Sequence, residues 1–167
     1  MSHSNKEIEV IIEIAMNSAP VKYELDKEKG LLYVDRFMNV AMHYPANYGY
    51  IPNTLAQDGD SLDALVICQQ PLIPGCILKG RVIGALLMED ESGIDEKLIV
   101  LPSIKADPFY SNIHDIAELN EITKQKIKHF FEHYKDLEKN KWVKVQNWIG
   151  AEEAEKLLAK YTTIKIN

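Results

Sequence analysis

The segment DGDSLDALVI places Asp58, Asp60 and Asp63 within six residues at the head of an apolar run. Three carboxylates this close repel one another. At roughly 4 Å, two like charges cost about 1 kcal/mol in bulk water and about 4 kcal/mol at the effective dielectric of a protein surface. A concave cluster of this kind needs protonation or a cation, whereas a solvated turn capping a strand needs neither; the triplet by itself allows both readings. An EF-hand is excluded, because its loop would require Gly at 63 and Glu at 69, where the chain has Asp63 and Gln69. If a cation is held, the all-oxygen donor set selects Mg²⁺ or Mn²⁺ over zinc.

Further acids accompany the triplet. Glu89, Asp90 and Glu91, followed by Asp95 and Lys97, fall between GALLM and KLIVLP in a hairpin-like loop that on its own reads as a solvated turn. Glu13 and Glu24 lie in strand-like segments flanked by Ile, Val and Leu. Period-two alternation can turn either inward, and a buried glutamate needs a partner. Basic and phenolic groups stand near the acids: Lys22 two residues before Glu24, Arg36 after LLYVD, and Tyr134 beside Lys135. A lone Lys or Arg is ordinarily a surface charge. The segment HYPANYGYIP reads as a loop in which Tyr44, Tyr48 and Tyr50 plug the core. His129 and His133 are one helical turn apart in HFFEH, but the zinc-protease helix requires His-Glu-x-x-His, and here the Glu is displaced to 132. A packing or interface role is the expectation for this pair.

The elements that must position these groups follow from periodicity. EVIIEI, VKYEL, LLYVD after the turn signal Asp26–Gly30, ALVIC, CILKGRVIGALL and KLIVLP read as short strands of one sheet or barrel. From Asp115 to Leu137 the apolar positions Ile116, Leu119, Ile127, Phe130, Tyr134 and Leu137, with Thr123 filling the gap, step by three and four, which predicts an amphipathic helix. KWVKVQNWI then alternates as a strand with Val143 and Val145 on one side, and AEEAEKLLAKY predicts a closing helix. The class is α+β and mainly β, a mostly antiparallel barrel or sheet with packed C-terminal helices. The 167 residues fit a single domain spanning 1–167 that can bury a core.

The formal charge of −6 argues against a protein whose main task is binding a phosphodiester backbone. The N-terminal stretch is interrupted by Glu7, Glu9 and Glu13, so no secretion signal is visible. The longest charge-free window, 37–57, contains Pro45, Gly49 and Pro52 and is no membrane span. Cys68 and Cys76 match neither a zinc ribbon nor a redox pair and are read as reduced packing residues of a cytoplasmic protein.

Taken in order, IEI around Glu13, KYE at 22–24, VDRFM at 34–38, YPANYGYIPNTL from Tyr44, DGDSLD at 58–63, EDESGIDEK at 89–97 and HFFEHYKDLEKNKWVKV at 129–145 resemble the family I soluble inorganic pyrophosphatases of bacterial type. Ser61 stands where that family typically has Pro or Glu, and Ala15 where it often has Pro. The resemblance implies an OB-like five-stranded barrel with the site at one mouth, a homohexamer, and hydrolysis of pyrophosphate to two orthophosphates by direct attack of a metal-activated water. It implies several Mg²⁺ per site, with Mn²⁺ or Zn²⁺ as substitutes. Position by position, Asp58, Asp63 and Asp95 resemble the ligands of the tightest metal site; Asp90, Glu13 and Glu24 would serve further metals. Asp60 resembles the general base, Lys22, Arg36, Tyr48, Lys97, Tyr134 and Lys135 would hold the phosphoryl groups, and Lys22, Arg36 and Tyr134 would act with Asp60 in catalysis. His129 and His133 match helix positions at a subunit interface of the hexamers. Two rivals stand beside this reading: an OB-type oligonucleotide binder, against which the acidic charge counts, and a hydrolase of nucleoside polyphosphates, for which no base-binding pocket is recognisable.

Overall fold

The computed structural model describes residues 6–163; residues 1–5, the start of the stretch read as lacking a secretion signal, and 164–167 lie outside it. In chain order the elements are β1 (Ile8–Ile14), β2 (Val21–Asp26), β3 (Leu31–Phe37), β4 (Asn47–Tyr50), β5 (Asp63–Val66), β6 (Ile77–Asp90), β7 (Gly93–Pro102), α1 (Glu121–His133), β8 (Val143–Gly150) and α2 (Ala151–Tyr161).

β1 pairs with β4 on one edge and with β6 on the other, and β4-β5-β7-β6 completes a ring of five strands. The ring is antiparallel except at β5 and β7, which run parallel. β6 serves three partners because it is 14 residues long. Its first residues pair with β1, its last with β8, and β7 lies along its other edge. This is the expected OB-like barrel, with β2 and β3 forming a separate two-stranded hairpin. β4 lies so close to β1 that a Cβ at Gly49 would stand 1.8 Å from the Ile11 carbonyl oxygen, so no side chain fits there.

β7 is buried on both faces, which is why KLIVLP reads as an unbroken apolar run rather than an alternation. Leu98 and Val100 pack with Ala154 and Leu158 of α2, while Ile99 and Leu101 pack with Ile127, Phe130 and Phe131 of α1. The strand is thereby held rigidly between two helices, and the residues at its head inherit that rigidity.

Three expectations need correction. The helix does not start at Asp115: Asp115 caps a 3₁₀ turn at Ile116–Glu118, Leu119 is extended at ψ 144°, and α1 begins after Asn120, whose side chain accepts from the Ile122 N–H. The second oxygen of Asp115 accepts from the Ala151 N–H and caps α2, so this residue is committed to two helix starts at once. At the other end α1 stops at His133, leaving Leu137 70% exposed, and Phe131 takes its place in the core. Second, the tyrosine segment is not all loop, since Asn47–Tyr50 is the wholly buried strand β4. Third, the hairpin expected at 89–97 is tighter than a loop of that length: Asp90 pairs with Gly93, so the turn is two residues and Asp90 and Asp95 lie in strands.

Candidate active site

Sheet register assembles the centre of the site. The parallel pairing of β5 and β7 sets Asp63 opposite Lys97, and Asp95, two residues earlier on β7, shares the Lys97 face. The Lys97 ammonium donates to Asp63 Oδ2 at 2.7 Å and to Tyr48 Oη at 2.8 Å, and lies 3.0 Å from Asp95 Oδ2. Its side chain is 4% exposed. Burial alone would lower the Lys97 pKa, but the charges of Asp63 and Asp95 outweigh it and hold the ammonium well above its ordinary range. Asp95 is raised by its burial despite that partner, and burial likewise keeps the Tyr48 and Tyr134 phenols protonated.

Around this centre the remaining groups arrive on turns and edges. Gly59 takes a φ of +86° in the DGD turn, a conformation that favours glycine, and the Asp60 N–H donates to Asp58 Oδ1 at 3.0 Å. Asp60 is raised above the ordinary aspartate value by partial burial and then by the Asp58 charge. Ser61 accepts from Lys27 Nζ at 2.6 Å, joining the tip of the β2–β3 hairpin to the DGD turn. Lys135, just beyond α1, holds Asp90 at 3.0 Å and Glu91 at 3.3 Å. Lys22 lies 3.0 Å from Glu24 and 3.7 Å from Asp35. Burial would raise Glu24, but the Tyr33 hydroxyl bond at 2.7 Å and the Lys22 charge outweigh it and lower its pKa. Arg36 reaches Glu138 at 3.4 Å, and its buried Nε has no hydrogen-bond partner among the described residues. Arg36 also lines the cleft, where its guanidinium suits an anion.

Glu13 is buried because of a β-bulge: Ile12 pairs with Gly49 and Ile14 with Tyr48, leaving Glu13 as the extra residue. Its Oε2 accepts from the Leu25 N–H at 2.7 Å, yet desolvation dominates and raises its pKa to about 7. In metal-free protein the folded form therefore keeps a proton that the unfolded chain releases near 4.5. The resulting stability is complete below that lower value and is lost as pH rises through 7, by up to about 3 kcal/mol. Urea unfolding in EDTA at pH 5 and pH 8 should show this loss, and Glu13→Gln should reduce it. An unchanged pH dependence in the variant would mean that Glu13 is ionised throughout.

All of these groups line one cleft of about 1010 Å³: Glu13, Lys22, Glu24, Arg36, Tyr48, Asp58, Asp60, Asp63, Asp90, Asp95, Lys97, Tyr134 and Lys135. Every residue singled out from the sequence for catalysis, substrate or metal is thus brought to one place. Among the described residues no three acids, histidines or cysteines are drawn together in chelating geometry; lysines stand between the carboxylates instead. Sequence reading gave no site role to Tyr33, Lys141 or Glu91, the last named only in the acidic run, although all three line the cleft, nor to Glu138, which pairs with Arg36. Tyr33 sits opposite Glu24 in the hairpin register, a relation visible only once that register is known. His129 and His133 lie away from the cleft, exposed on the outer face of α1 with rings 4.6 Å apart, so neither packs into the core.

Comparison with known proteins gives the same direction. The model of the inorganic pyrophosphatase family matches residues 10–164. The chain belongs to that family. It is 56% identical over 155 residues to the inorganic pyrophosphatase of Rickettsia prowazekii, covering 93% of this chain and 90% of the relative, and 55% identical over 149 residues to that of Aquifex pyrophilus, covering 89% and 84%. Among solved structures, the inorganic pyrophosphatase of Helicobacter pylori superposes with a TM-score of 0.92 at 53% identity over 96% of this chain and 94% of that one. That of Thermus thermophilus gives 0.89 at 41% identity, covering 97% and 92%. The activity is that of an inorganic diphosphatase, a hydrolase of inorganic pyrophosphate, in a family that uses divalent metals. Among the described residues no helix is long and apolar enough to cross a membrane.

Proposed function

We propose that the cleft hydrolyses pyrophosphate to two orthophosphates by direct attack of water, with Mg²⁺ as the working metal. The observation that carries this reading is the convergence of the seven carboxylates of Glu13, Glu24, Asp58, Asp60, Asp63, Asp90 and Asp95 with Lys22, Arg36, Lys97 and Lys135 in one cleft. Pyrophosphate is small and highly anionic, so an acidic pocket can accept it only with divalent cations. An all-oxygen set suits magnesium: Asp58, Asp63 and Asp95 would hold the tightest ion, and Asp90, Glu13 and Glu24 the others. When bound, the metal supplies positive field and acidifies a water.

The chain's own residues perform the rest. Asp60, more basic than an ordinary aspartate, accepts the proton of the attacking water. The new P–O bond forms as the bridging P–O bond breaks, and the proton passes on to the departing phosphate. Lys22, Arg36, Lys97 and Lys135 balance charge spreading over the peripheral oxygens, while Tyr48 and Tyr134, kept protonated by burial, donate hydrogen bonds. Phosphate release is expected with Mg²⁺, to be abolished by EDTA, and to be poorly supported by Ca²⁺, whose looser shell orients water less well. Undiminished hydrolysis in EDTA would sink this reading. Release from nucleoside triphosphates in parallel separates the rival substrate class.

Self-association as a homohexamer belongs to the same proposal. Ile122 is 59% exposed on α1, and a groove of about 470 Å³ runs beside it past Met42, Pro45 and His129. A second copy would cover these groups, and light scattering at pH 7 is expected to show the mass of a hexamer, which His129→Glu should lower by placing a charge beside the groove. An unchanged mass in that variant would remove this face from the interface. A cytoplasmic location is supported by Cys68 and Cys76, both free thiols.

A further inference from the structure

The end of α2 is tied from behind to both acidic segments of the site. Tyr161 is 7% exposed; its hydroxyl accepts from Gln57 Nε2 at 2.8 Å and donates to Glu96 Oε1 at 3.2 Å. Gln57 immediately precedes Asp58, and Glu96 stands between Asp95 and Lys97. The same end of α2 also grips the loop through its backbone, the Leu55 N–H donating to the Tyr161 carbonyl and the Thr163 N–H to the Asn53 carbonyl, each at 2.9 Å.

The hydrogen bonds within the DGD turn are local. The Ala56 N–H meets the Asp60 carbonyl at 2.7 Å, the Gly59 N–H meets the Ala56 carbonyl at 3.1 Å, and the Asp60 N–H meets Asp58 Oδ1 at 3.0 Å. They fix the shape of the turn but not its distance from β7. A phenol hydroxyl that both accepts and donates joins the two segments across 39 positions of sequence, counted from Gln57 to Glu96.

We propose that Tyr161 is a positioning residue: by bridging Gln57 and Glu96 it sets the spacing between the Asp58 turn and the Asp95 strand. The inference rests on the reading that Asp58 and Asp95 serve one metal. Magnesium demands near-ideal octahedral geometry, so a carboxylate displaced by a fraction of an ångström weakens its binding. Phenylalanine at 161 keeps the ring packed beside Ile51, Leu62 and Leu158 and removes only the bridge.

The test is calorimetric titration of Mg²⁺ into metal-free protein, beside melting in EDTA, for wild type, Tyr161→Phe, Gln57→Leu and the double variant. Each single variant is expected to raise half-saturating Mg²⁺ about three- to tenfold, the range set by one lost hydrogen bond. The double variant should be no worse than the weaker-binding single, because both changes break one bridge. Melting of Tyr161→Phe in EDTA should fall by no more than roughly 3–12 °C, the loss expected for one hydrogen bond to a carboxylate, and the variant should remain folded at the titration temperature. Unchanged half-saturation, fully additive effects, or a lower melting temperature with unaltered Mg²⁺ binding would each overturn the proposal. Wild-type protein that binds no Mg²⁺ would overturn the metal reading and this inference with it, whereas normal wild-type binding with an unaffected Tyr161→Phe overturns the inference alone.

Discussion

Lys97→Met is expected to destabilise the metal-free protein by about 3–5 kcal/mol, a fall of roughly 6–20 °C in melting temperature for a chain of this size. The ammonium is almost wholly enclosed and has Asp63, Asp95 and Tyr48 as its partners. Methionine fills comparable space and leaves two carboxylates facing each other without a cation, and Asp95 is already raised by burial. Such a site can protonate or recruit a positive ion. Magnesium should therefore raise the melting temperature of Lys97→Met more than that of wild type, in which the ammonium competes for the same oxygens. A metal-free variant that melts with wild type would show that the two aspartates are solvated after all. A destabilised variant with no enhanced magnesium response would show that these oxygens do not serve the metal.

The acids of the site stood out by their crowding and its bases only through the resemblance to the pyrophosphatase family, whereas the apolar runs around them were legible because β7 and its neighbours are buried. What pairs with what was not. Asp63 and Lys97 are 34 positions apart and meet through a parallel register that no local pattern encodes. The bulge that buries Glu13 depends on the closeness of β4 to β1 at Gly49. The boundary of α1 was misplaced because Ile116 and Leu119 are buried at helical spacing, yet the chain breaks between them and Ile127 so that Asp115 can cap two helix starts. Periodicity records burial, and burial there is shared by a 3₁₀ turn and a helix.

The same register reverses an expectation about Asp63. From the sequence, removing one of three crowded aspartates relieves repulsion and should stabilise metal-free protein. In the structure Asp58 and Asp60 are exposed on the turn, where water and salt screen their repulsion, whereas Asp63 opens β5 with its carboxylate 2.7 Å from an enclosed ammonium. The attraction lost outweighs the repulsion relieved. Asp63→Asn is therefore expected to lower metal-free stability by about 1.5–3 kcal/mol, the range for a hydrogen bond to a charged group, or roughly 3–12 °C in melting temperature. The asparagine carbonyl still accepts from Lys97, which keeps the loss below that of Lys97→Met. Pyrophosphate hydrolysis should fall at least about 10²-fold, since loss of even an outer-shell partner of a metal ligand reaches that size. Adding Mg²⁺ should recover little of the lost stability, because the variant has lost a ligand as well as a counter-ion. Thermal scans in EDTA and in Mg²⁺, beside phosphate release, separate the two roles. A metal-free Asp63→Asn that melts above wild type would restore repulsion as the dominant force, and near-normal hydrolysis would take Asp63 out of the metal site while leaving its pairing with Lys97 intact.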